Sequence, residues 1–501
     1  MMKYFKLFII FISYFYVMNP IISEDIETII NPIISSLMKE KNIPSLQILL
    51  FKPGKVIFYQ FEYNIQTKQL KIEQNPDKSL YYFAGELSYP LVNFIFNKFP
   101  IDKRQITEIS SLNKILNNLY ELKKQFMLPI KLYNIPNKNY INFYNKNIDD
   151  LLLLCLKNML CGIEISKDGV GITKSQKNIT ITSLPFQHFY LSTYNYYLLE
   201  KIYNKKDIIA FINEQLKTLN INHTFFYKGL INNNLLNQYN IKRGSYSDKK
   251  ITYIPDIQIF FPLSYGFITN VYDYYKIIQI LYKSILFKEY FTLDYLAGGY
   301  KDGFYYRYTC DKQFIIAENF GFFPGYRSYS FVMNNGYGFI LMQSSDNDYV
   351  IHFLRDKIED IYYNLNNISC NYIYNFDINE FYGYYRPENV VSKEKAIFSD
   401  IWIRKNSDGI VEISNFFNKD PIGYLYEFNS LYYFKGYTKL NRYPFIFQQD
   451  KNKFISSIYE YKKISWYKSI RGLIILFSFF ILIIMIIFIG LILRYYKFKR
   501  G

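Results

Sequence analysis

Residues 79–96 read SLYYFAGELSYPLVNFIF, and this stretch decides the fold. An aromatic, strand-like run comes first, Gly85 follows it, and Leu91 to Phe99 has the apolar pattern of a helix. A strand that turns directly into a helix leaves the turn residues at the helix N-terminus, where catalytic nucleophiles are often found. The stretch therefore has the layout of a strand-to-helix turn at which a catalytic residue could stand.

The composition limits how much any single residue type signifies. The chain has 501 residues, among them 54 Tyr and 46 Phe, and a net charge of +17. Such a charge favours anionic partners, but the lysines are scattered singly and form no compact cluster before the C-terminus. We interpret the charge as a solvated basic surface and expect no nucleic-acid partner.

The N-terminus has the pattern of a secretory signal peptide over residues 1–23. Lys3 and Lys6 precede an apolar run from Leu7 to Met18, and cleavage is expected after Ser23. Because Ile21 is not a small residue, an uncleaved N-terminal anchor stays open as an alternative.

A second apolar segment, residues 473–493, carries no charge for 21 residues. At about 1.5 Å per residue this length matches a hydrocarbon core of about 30 Å, so we expect one transmembrane helix. The basic tail, residues 494–501, is expected in the cytosol, which predicts a single-pass type I membrane protein with a lumenal or extracellular body. Lys497 and Lys499 match a dilysine retrieval signal of the endoplasmic reticulum, and a plain stop-transfer cluster is the alternative.

Two further features fit a body in the secretory pathway. Sequons at Asn178, Asn222 and Asn367 predict a glycoprotein. Four cysteines in an oxidising compartment allow three pairings, of which we favour Cys155 with Cys161 and Cys310 with Cys370. Neither the cysteines nor the three histidines (His188, His223 and His352) are spaced as metal ligands, and we expect no metal or cofactor.

Residues 24–372 contain mixed helix and strand signals without a flexible linker, which predicts one large α/β (α+β) domain. A hairpin is expected at residues 46–61 with its turn at Lys52 to Lys55, and paired strands at 329–333 and 338–342. The expected helices are residues 25–41, 91–99, 194–203, 206–219 and 349–365.

Residues 377–466 form a second unit of short strands separated by turns, which predicts a small antiparallel barrel or sandwich. Its hairpin IWIRKNSDGIVEIS spans residues 401–414. A lid over a substrate site and a membrane-proximal spacer are both open roles for this unit.

Five segments in order resemble the serine β-lactamase-related family, which includes class C β-lactamases and penicillin-binding DD-peptidases. The resemblance implies a sandwich of antiparallel sheet and helices, often followed by a lipocalin-like domain that begins with a phrase similar to FYGYYRP at 381–387. The matching segments are KNIPSLQILLFKPGKVIFYQF (41–61), the opening stretch (79–96), LLLLCLKNMLCGI (151–163), the run from Leu191 to Phe226, and NFGFFPGYRSYSFVMNNGYGFILMQSSDND (319–348).

The resemblance implies a degenerate member at the nucleophile turn. That family uses a Ser at the start of a helix and a Lys one turn later that accepts its proton. Here Glu86 stands at the Ser position and Tyr89 at the Lys position, whereas Gly85 and Ser88 are kept.

The two other motifs of that family are altered as well. In the second motif, Leu191 replaces the proton-relaying Tyr, Ser192 is retained, and Thr193 replaces Asn. In the third motif, Asn319 takes the place of the leading basic residue and Gly321 is kept. We regard Ser88 and Ser192 as candidate binding residues and the altered positions as a vestigial catalytic site.

The sequence thus predicts a membrane-anchored pseudoenzyme that binds an unknown protein or small peptide-like ligand in its cleft or acts by interaction. The alternative is an active serine hydrolase or peptidase with a non-standard residue set. Other Ser-x-x-Lys strings begin at Ser36, Ser111, Ser247 and Ser392, and Ser111 is kept as a displaced nucleophile candidate. Ser36 and Ser111 both miss the expected turn.

Overall fold

The protein is described by a computed structural model. It covers residues 26–99, 110–123, 129–143, 146–163, 170–171, 179, 181–203, 207–247, 251–370, 372–374, 376, 378–388, 399–415, 421–436, 438, 441–448 and 452–498. The expected signal peptide (1–23) and the sequon residue Asn178 lie outside these residues, as do the Ser392 string and the last three residues of the tail.

The hairpin predicted near the N-terminus opens the main sheet. Strands β1 (Ser45–Lys52) and β2 (Lys55–Asn64) pair antiparallel, with Lys52 opposite Lys55. Gly54 has φ +78° in the turn. Residues 45–51 are all buried, because the strand lies inside the sheet with helices on both faces, so the strand has a continuous rather than an alternating apolar pattern.

Within the described residues the main sheet has 11 strands, all antiparallel, in the order β3-β2-β1-β19-β18-β17-β16-β15-β14-β5-β6. The strands of the body after β2 are β3 (Gln69–Glu73), β4 (Tyr82–Phe83), β5 (Lys131–Asn134), β6 (Asn139–Ile141), β7 (Val170–Gly171), β8 (Phe225–Phe226), β9 (Leu230–Ile231), β10 (Ser245–Ser247), β11 (Ile251–Tyr253), β12 (Ile257–Ile259), β13 (Phe267–Thr269), β14 (Glu289–Asp294), β15 (Gly298–Lys301), β16 (Phe304–Tyr308), β17 (Ile315–Phe323), β18 (Tyr326–Met333) and β19 (Gly338–Gln343).

Helices cover both faces of this sheet. The helices of the body are α1 (Ile26–Lys41), α2 (Ser88–Lys98), α3 (Ser110–Lys123), α4 (Ile148–Lys157), α5 (Tyr194–Ile202), α6 (Ile208–Thr218), α7 (Asn233–Gln238), α8 (Pro262–Tyr265), α9 (Val271–Ser284) and α10 (Asp348–Leu365).

The side chains of β1 and β19 show which helix lies on which face. Phe51 contacts Tyr275 of α9, with ring centroids 4.9 Å apart. Phe339, which lies opposite Leu50 and therefore on the other face, packs on Tyr362 of α10 at 6.0 Å. The expected fold class, an α/β sandwich of antiparallel sheet and helices, is confirmed.

The second unit is a closed antiparallel barrel of eight strands, followed by one long apolar helix. The small β unit expected from the sequence is therefore a barrel. Its strands are β20 (Gly383–Pro387), β21 (Ile401–Lys405), β22 (Val411–Asn415), β23 (Gly423–Phe428), β24 (Leu431–Lys435), β25 (Pro444–Phe447), β26 (Lys453–Ser456) and β27 (Tyr459–Ile464), and the helix is α11 (Ile470–Phe498).

The barrel packs on the body through a charge cluster formed by Arg307, Glu318, Glu359 and Arg442. Arg307 donates to both carboxylate oxygens of Glu359, at 2.9 and 2.8 Å, and lies 3.4 Å from Glu318. Arg442, next to the start of β25, lies 3.7 Å from Glu359. Because Arg307, Glu318 and Glu359 are at most 1% exposed, the barrel and body share one buried polar interior.

Two disulfides lie in the body. Cys155 pairs with Cys161 at the end of α4, and Cys310 pairs with Cys370 across the junction between the sheet and the segment that leads to the barrel. These are the pairings favoured from the sequence.

Candidate functional site

The turn between β4 and α2 is pressed against the backbone of β17. Gly85 has φ +53°, and a Cβ there would overlap the backbone of Phe322. A Cβ at Gly321 would overlap the carbonyl oxygen of Ala84. Both glycines are therefore required by a close approach of two backbones, and this approach brings Glu86 to the edge of β17.

The Glu86 side chain accepts a hydrogen bond from a backbone N–H group at that edge. Its Oε2 atom accepts a hydrogen bond from the Phe322 N–H at 2.6 Å. The Glu86 carbonyl accepts a second bond from Asn319 Nδ2 at 3.1 Å. The Phe322 N–H is available because the pairing between β16 and β17 ends at Tyr305 and Glu318. Among the described residues, no strand pairs with that side of β17 from Asn319 onward.

Tyr89, which the sequence resemblance aligns with the lysine of the nucleophile turn, is buried in the interior. It is 4% exposed and stacks on Tyr196 with ring centroids 3.8 Å apart and planes 8° apart. Burial, together with the negative charge of Glu86, raises the pKa of Tyr89 well above its ordinary value of 10.0. The side chain is therefore a neutral phenol at physiological pH and cannot accept a proton from a nucleophile.

The loop that carries the second motif is held by the turn after α4. Met159, at φ +60°, accepts from the Tyr190 N–H at 2.9 Å, and Leu160 accepts from the Phe186 N–H at 2.7 Å. His188 Nδ1 lies 2.9 Å from Glu460 Oε1 of β27. These contacts place Leu191 and Thr193 beside Glu86, and they also tie the loop to the barrel.

The residues of the three altered motifs meet at one cavity of about 50 Å³. Glu86, Tyr89, Leu191, Thr193 and Asn319, all named from the sequence, line it. Gly321 contacts the turn from behind. Phe320 and Phe322 of the third-motif segment line the cavity as well. The remaining lining residues, which sequence reasoning did not find, are Met159, Tyr300 and Tyr305.

The serines named from the sequence have different positions. Ser88 is buried and donates to the Leu263 carbonyl at 2.7 Å, so its hydroxyl has a structural partner. Ser192 is also buried, and its hydroxyl has no hydrogen-bond partner among the described residues. Neither serine lines the cavity. Ser36 lies in α1, and Ser111 lies in the first turn of α3.

Tyr300 and Tyr305 were missed because nothing in their local sequence marks them. They lie on β15 and β16, short aromatic strands in a chain rich in tyrosine. Only the pairing of β15 with β16, and of β16 with β17, brings their rings to the cavity. The Phe322 donor could have been found, since it follows Gly321 of the third motif directly.

No protein-family model matches the chain, and no curated protein is significantly similar to it. Among solved structures, a penicillin-binding protein homologue from Pyrococcus abyssi has 13% identity and a TM-score of 0.43, covering 88% of this chain and all of its own. A class C β-lactamase has 12% identity and a TM-score of 0.43, covering 70% of this chain and 99% of its own. A D-alanine carboxypeptidase from Burkholderia cenocepacia has 13% identity and a TM-score of 0.39, covering 64% and 95%. Likenesses this remote do not carry a function to this chain.

Proposed function

We propose that this protein is a membrane-anchored, catalytically inactive relative of the serine β-lactamase-related family that acts through an interaction. The observation that carries the proposal is the hydrogen bond from the Phe322 N–H to the Glu86 carboxylate at 2.6 Å.

An acyl-transfer enzyme needs a free N–H donor at this position to stabilise the oxyanion, and here the hydrogen bond to Glu86 already uses that donor. In the resembled family, the N–H of the nucleophile residue and an N–H of the third-motif strand stabilise the oxyanion. Here a carboxylate of the chain itself accepts the strand N–H, so an oxyanion would compete with an existing negative charge. Loss of one oxyanion donor costs about 3 kcal/mol of transition-state stabilisation in serine hydrolases.

The proton-transfer groups are lost together with the nucleophile. The Tyr89 phenol is buried and neutral, and Leu191 carries no proton at all. Nucleophile, base and proton relay act as a unit in such enzymes, so their effects on the reaction rate are not additive. Restoring only one of the three groups should therefore not restore catalysis.

The size of the cavity favours an interaction over a buried small ligand. Sites for small molecules usually have volumes of about 300–1,000 Å³, whereas this cavity has about 50 Å³. Tyr89, Tyr300, Tyr305 and Phe320 fill the space that a substrate would need. A peptide-like ligand would have to displace these rings.

The membrane anchor in this proposal is α11. Its candidate span, Ile470–Tyr495, has a mean hydropathy of 3.3, and only 6% of its most apolar window is buried against the protein. We infer a lumenal body from the N-terminal signal pattern. The basic residues near the uncharged run 473–493 do not distinguish the two sides, since Lys462, Lys463, Lys468 and Arg471 precede this run and Arg494, Lys497, Lys499 and Arg500 follow it.

The test of inactivity is covalent labelling of the full-length protein in detergent by a fluorophosphonate and by a fluorescent penicillin. The wild type and Glu86→Ser should both remain unlabelled. The triple variant Glu86→Ser, Tyr89→Lys, Leu191→Tyr is the variant able to gain label, and Glu86→Ala with the other two changes is its matched control.

The active-hydrolase alternative is favoured by one observation, the buried Ser192 hydroxyl without a partner among the described residues. Stoichiometric labelling of the wild type that is lost in Ser192→Ala, or that maps to another serine, would overturn the pseudoenzyme proposal.

Glycosidase treatment tests the orientation, because the sequon residues Asn222 and Asn367 are both exposed. A lumenal body should lose mass, and an Asn222→Gln, Asn367→Gln variant should lose less.

A further inference from the structure

The start of α11 is fixed to the barrel rather than joined by a flexible stalk. Asp400, which is 4% exposed, accepts from the Ile470 N–H at 3.1 Å. Arg386 of β20 holds Asp400 with two hydrogen bonds, at 2.8 and 2.9 Å, and donates to the Lys468 carbonyl at 2.7 Å. The apolar helix therefore leaves the barrel in one defined direction, and the adjoining end of the barrel must lie at the membrane surface.

An aromatic and cationic surface surrounds this junction. Trp402 of β21 stacks on Tyr384, with ring centroids 5.4 Å apart. The guanidinium carbons of Arg404 and Arg471 lie 4.2 and 4.9 Å from the centroid of the Trp402 ring. Trp466 and Tyr467, beside the junction, are 52% and 46% exposed. The chain has 2 tryptophans, and both lie here.

The depth of this surface follows from the helix geometry. Arg471 precedes the first residue of the apolar run, Leu473, by two positions, which is about 3 Å along a helix axis. A bilayer has a hydrocarbon core of about 30 Å and is about 40–45 Å thick with its headgroups. Trp402 and its two arginines therefore lie at headgroup depth when α11 spans the bilayer.

The chemistry of the surface fits a phosphate at that depth. Arg404 is paired with the buried carboxylate of Glu412, whereas among the described residues no carboxylate lies within ion-pairing distance of Arg471. A guanidinium that lies over an indole ring still has N–H groups at its edge that can bind phosphate oxygens bidentately. Exposed Trp and Tyr side chains favour the membrane–water interface.

We propose that Trp402, Trp466, Tyr467, Arg404 and Arg471 form a lipid-contacting rim, in which Arg471 binds the phosphate of phospholipids in the leaflet adjoining the barrel. The rim holds the barrel flat on the membrane and sets the orientation of the whole body. This inference rests on the membrane anchor of the proposed function.

Intrinsic fluorescence tests the rim directly. The variants Trp402→Phe and Trp466→Phe each leave one tryptophan, and each is reconstituted as full-length protein in phosphatidylcholine nanodiscs. Lipids with a quencher near the headgroup should reduce the emission of both variants more than lipids with a quencher deep in the chains. Arg471→Gln should weaken the quenching of Trp402 by the shallow quencher. Lys405→Gln is the control, because Lys405 is an exposed residue on the strand of Trp402, and this variant should not change the quenching.

The outcomes separate the anchor from the rim. Protein that does not enter nanodiscs refutes the anchor in the proposed function. Protein that enters nanodiscs while neither tryptophan responds to lipid quenchers overturns the rim. In bilayers of a neutral glycolipid without phosphate, the Trp402 quenching should fall, and equal quenching in both lipids would overturn the phosphate assignment.

Discussion

The two halves of β17 differ in their partners and in their polar groups. Among the described residues, Ile316 to Glu318 pairs with β16 on one side and β18 on the other, and Asn319 to Phe323 pairs with β18 only. Glu318 lies in the charge cluster, where it contacts Arg307 and accepts hydrogen bonds from the hydroxyls of Tyr329 and Tyr443. Glu86, at the other half, accepts one backbone N–H and has no ion pair among the described residues.

The comparison shows that carboxylates beside the two halves of one strand can serve different purposes. In the charge cluster, cations and hydroxyls compensate the carboxylates, so the cluster holds barrel and body together. At the unpaired half, the half-buried Glu86 carboxylate accepts the backbone N–H of Phe322. The first arrangement joins charged groups of barrel and body, and the second satisfies one donor at a strand edge.

The largest effect is expected from Arg307→Gln. It leaves the carboxylates of Glu318 and Glu359 buried without their central cation, and breaking such a pair costs about 3–5 kcal/mol. Burial raises the pKa of Glu359, but the charges of Arg307 and Arg442 outweigh it and bring the pKa to about 2. Thermal unfolding of the full-length protein in detergent measures the loss. Lys78→Gln, at an exposed pair with Glu73, is the control, and its effect should stay below about 1 kcal/mol.

Gly85→Ala should destabilise the unpaired half by about 3 kcal/mol, because a left-handed backbone and a backbone overlap act together. Gly54→Ala separates these causes. Gly54 has φ +78°, but nothing lies within 4 Å of an added Cβ, so only the conformational cost of about 1–2 kcal/mol remains. Equal losses in the two variants would show that the close approach of Gly85 to Phe322 is not tight.

Glu86→Gln should change stability by less than about 1 kcal/mol, because the amide oxygen still accepts the Phe322 N–H. Glu86→Ala removes the acceptor and should cost more. Unfolding curves for the two variants measure the difference. A loss in Glu86→Gln as large as that of Arg307→Gln would mean that the charge of Glu86 is structural, and the contrast between the halves of β17 would not hold.

The smallest effect concerns the link between the second-motif loop and the barrel. The hydrogen bond to Glu460, opposed in part by burial, raises the pKa of His188 above its ordinary value of 6.5. The stabilisation from His188 is complete below about pH 6.5 and is lost as the pH rises through the raised pKa. Because the His188 side chain is 31% exposed, the expected effect is below about 1 kcal/mol.

Melting temperatures of the wild type and His188→Gln across this range check the sign of that prediction. The wild type should exceed the variant at low pH, and the gap should shrink as the pH rises. Glu388 and Lys453 lie near this pair and oppose one another in their effect on His188. A gap that widens with pH would contradict the assigned pair.

Much of the local structure was predictable because it depends on residues that are close in sequence. The hairpin predicted at 46–61 is β1 and β2, and the expected helices at 194–203, 206–219 and 349–365 are α5, α6 and α10. In each case the prediction depended on the regular spacing of apolar residues or on a turn residue such as Gly54. The helix predicted at 91–99 begins earlier, at Ser88, because no side chain caps it and a helical turn at residues 85–87 runs directly into it.

The candidate site was only partly predictable. Glu86, Tyr89, Leu191, Thr193 and Asn319 were named by the order of motifs in the resembled family, and the structure brings them to one cavity. Tyr300 and Tyr305 were not named, since no local pattern separates them from the other 52 tyrosines of the chain.

Periodicity and residue identity were enough to predict the first hairpin, several helices, the residues at the altered motifs and the long apolar helix. Tertiary structure alone decided three other things. It ended the pairing of β16 with β17 at Tyr305 and Glu318, which leaves the Phe322 N–H open to Glu86. It closed the cavity with aromatic rings, and it joined α11 to the barrel through Asp400. Each depends on contacts between residues far apart in the chain. Neither the entropy lost in bringing such residues together nor the geometry of their contacts can be predicted from a local sequence pattern.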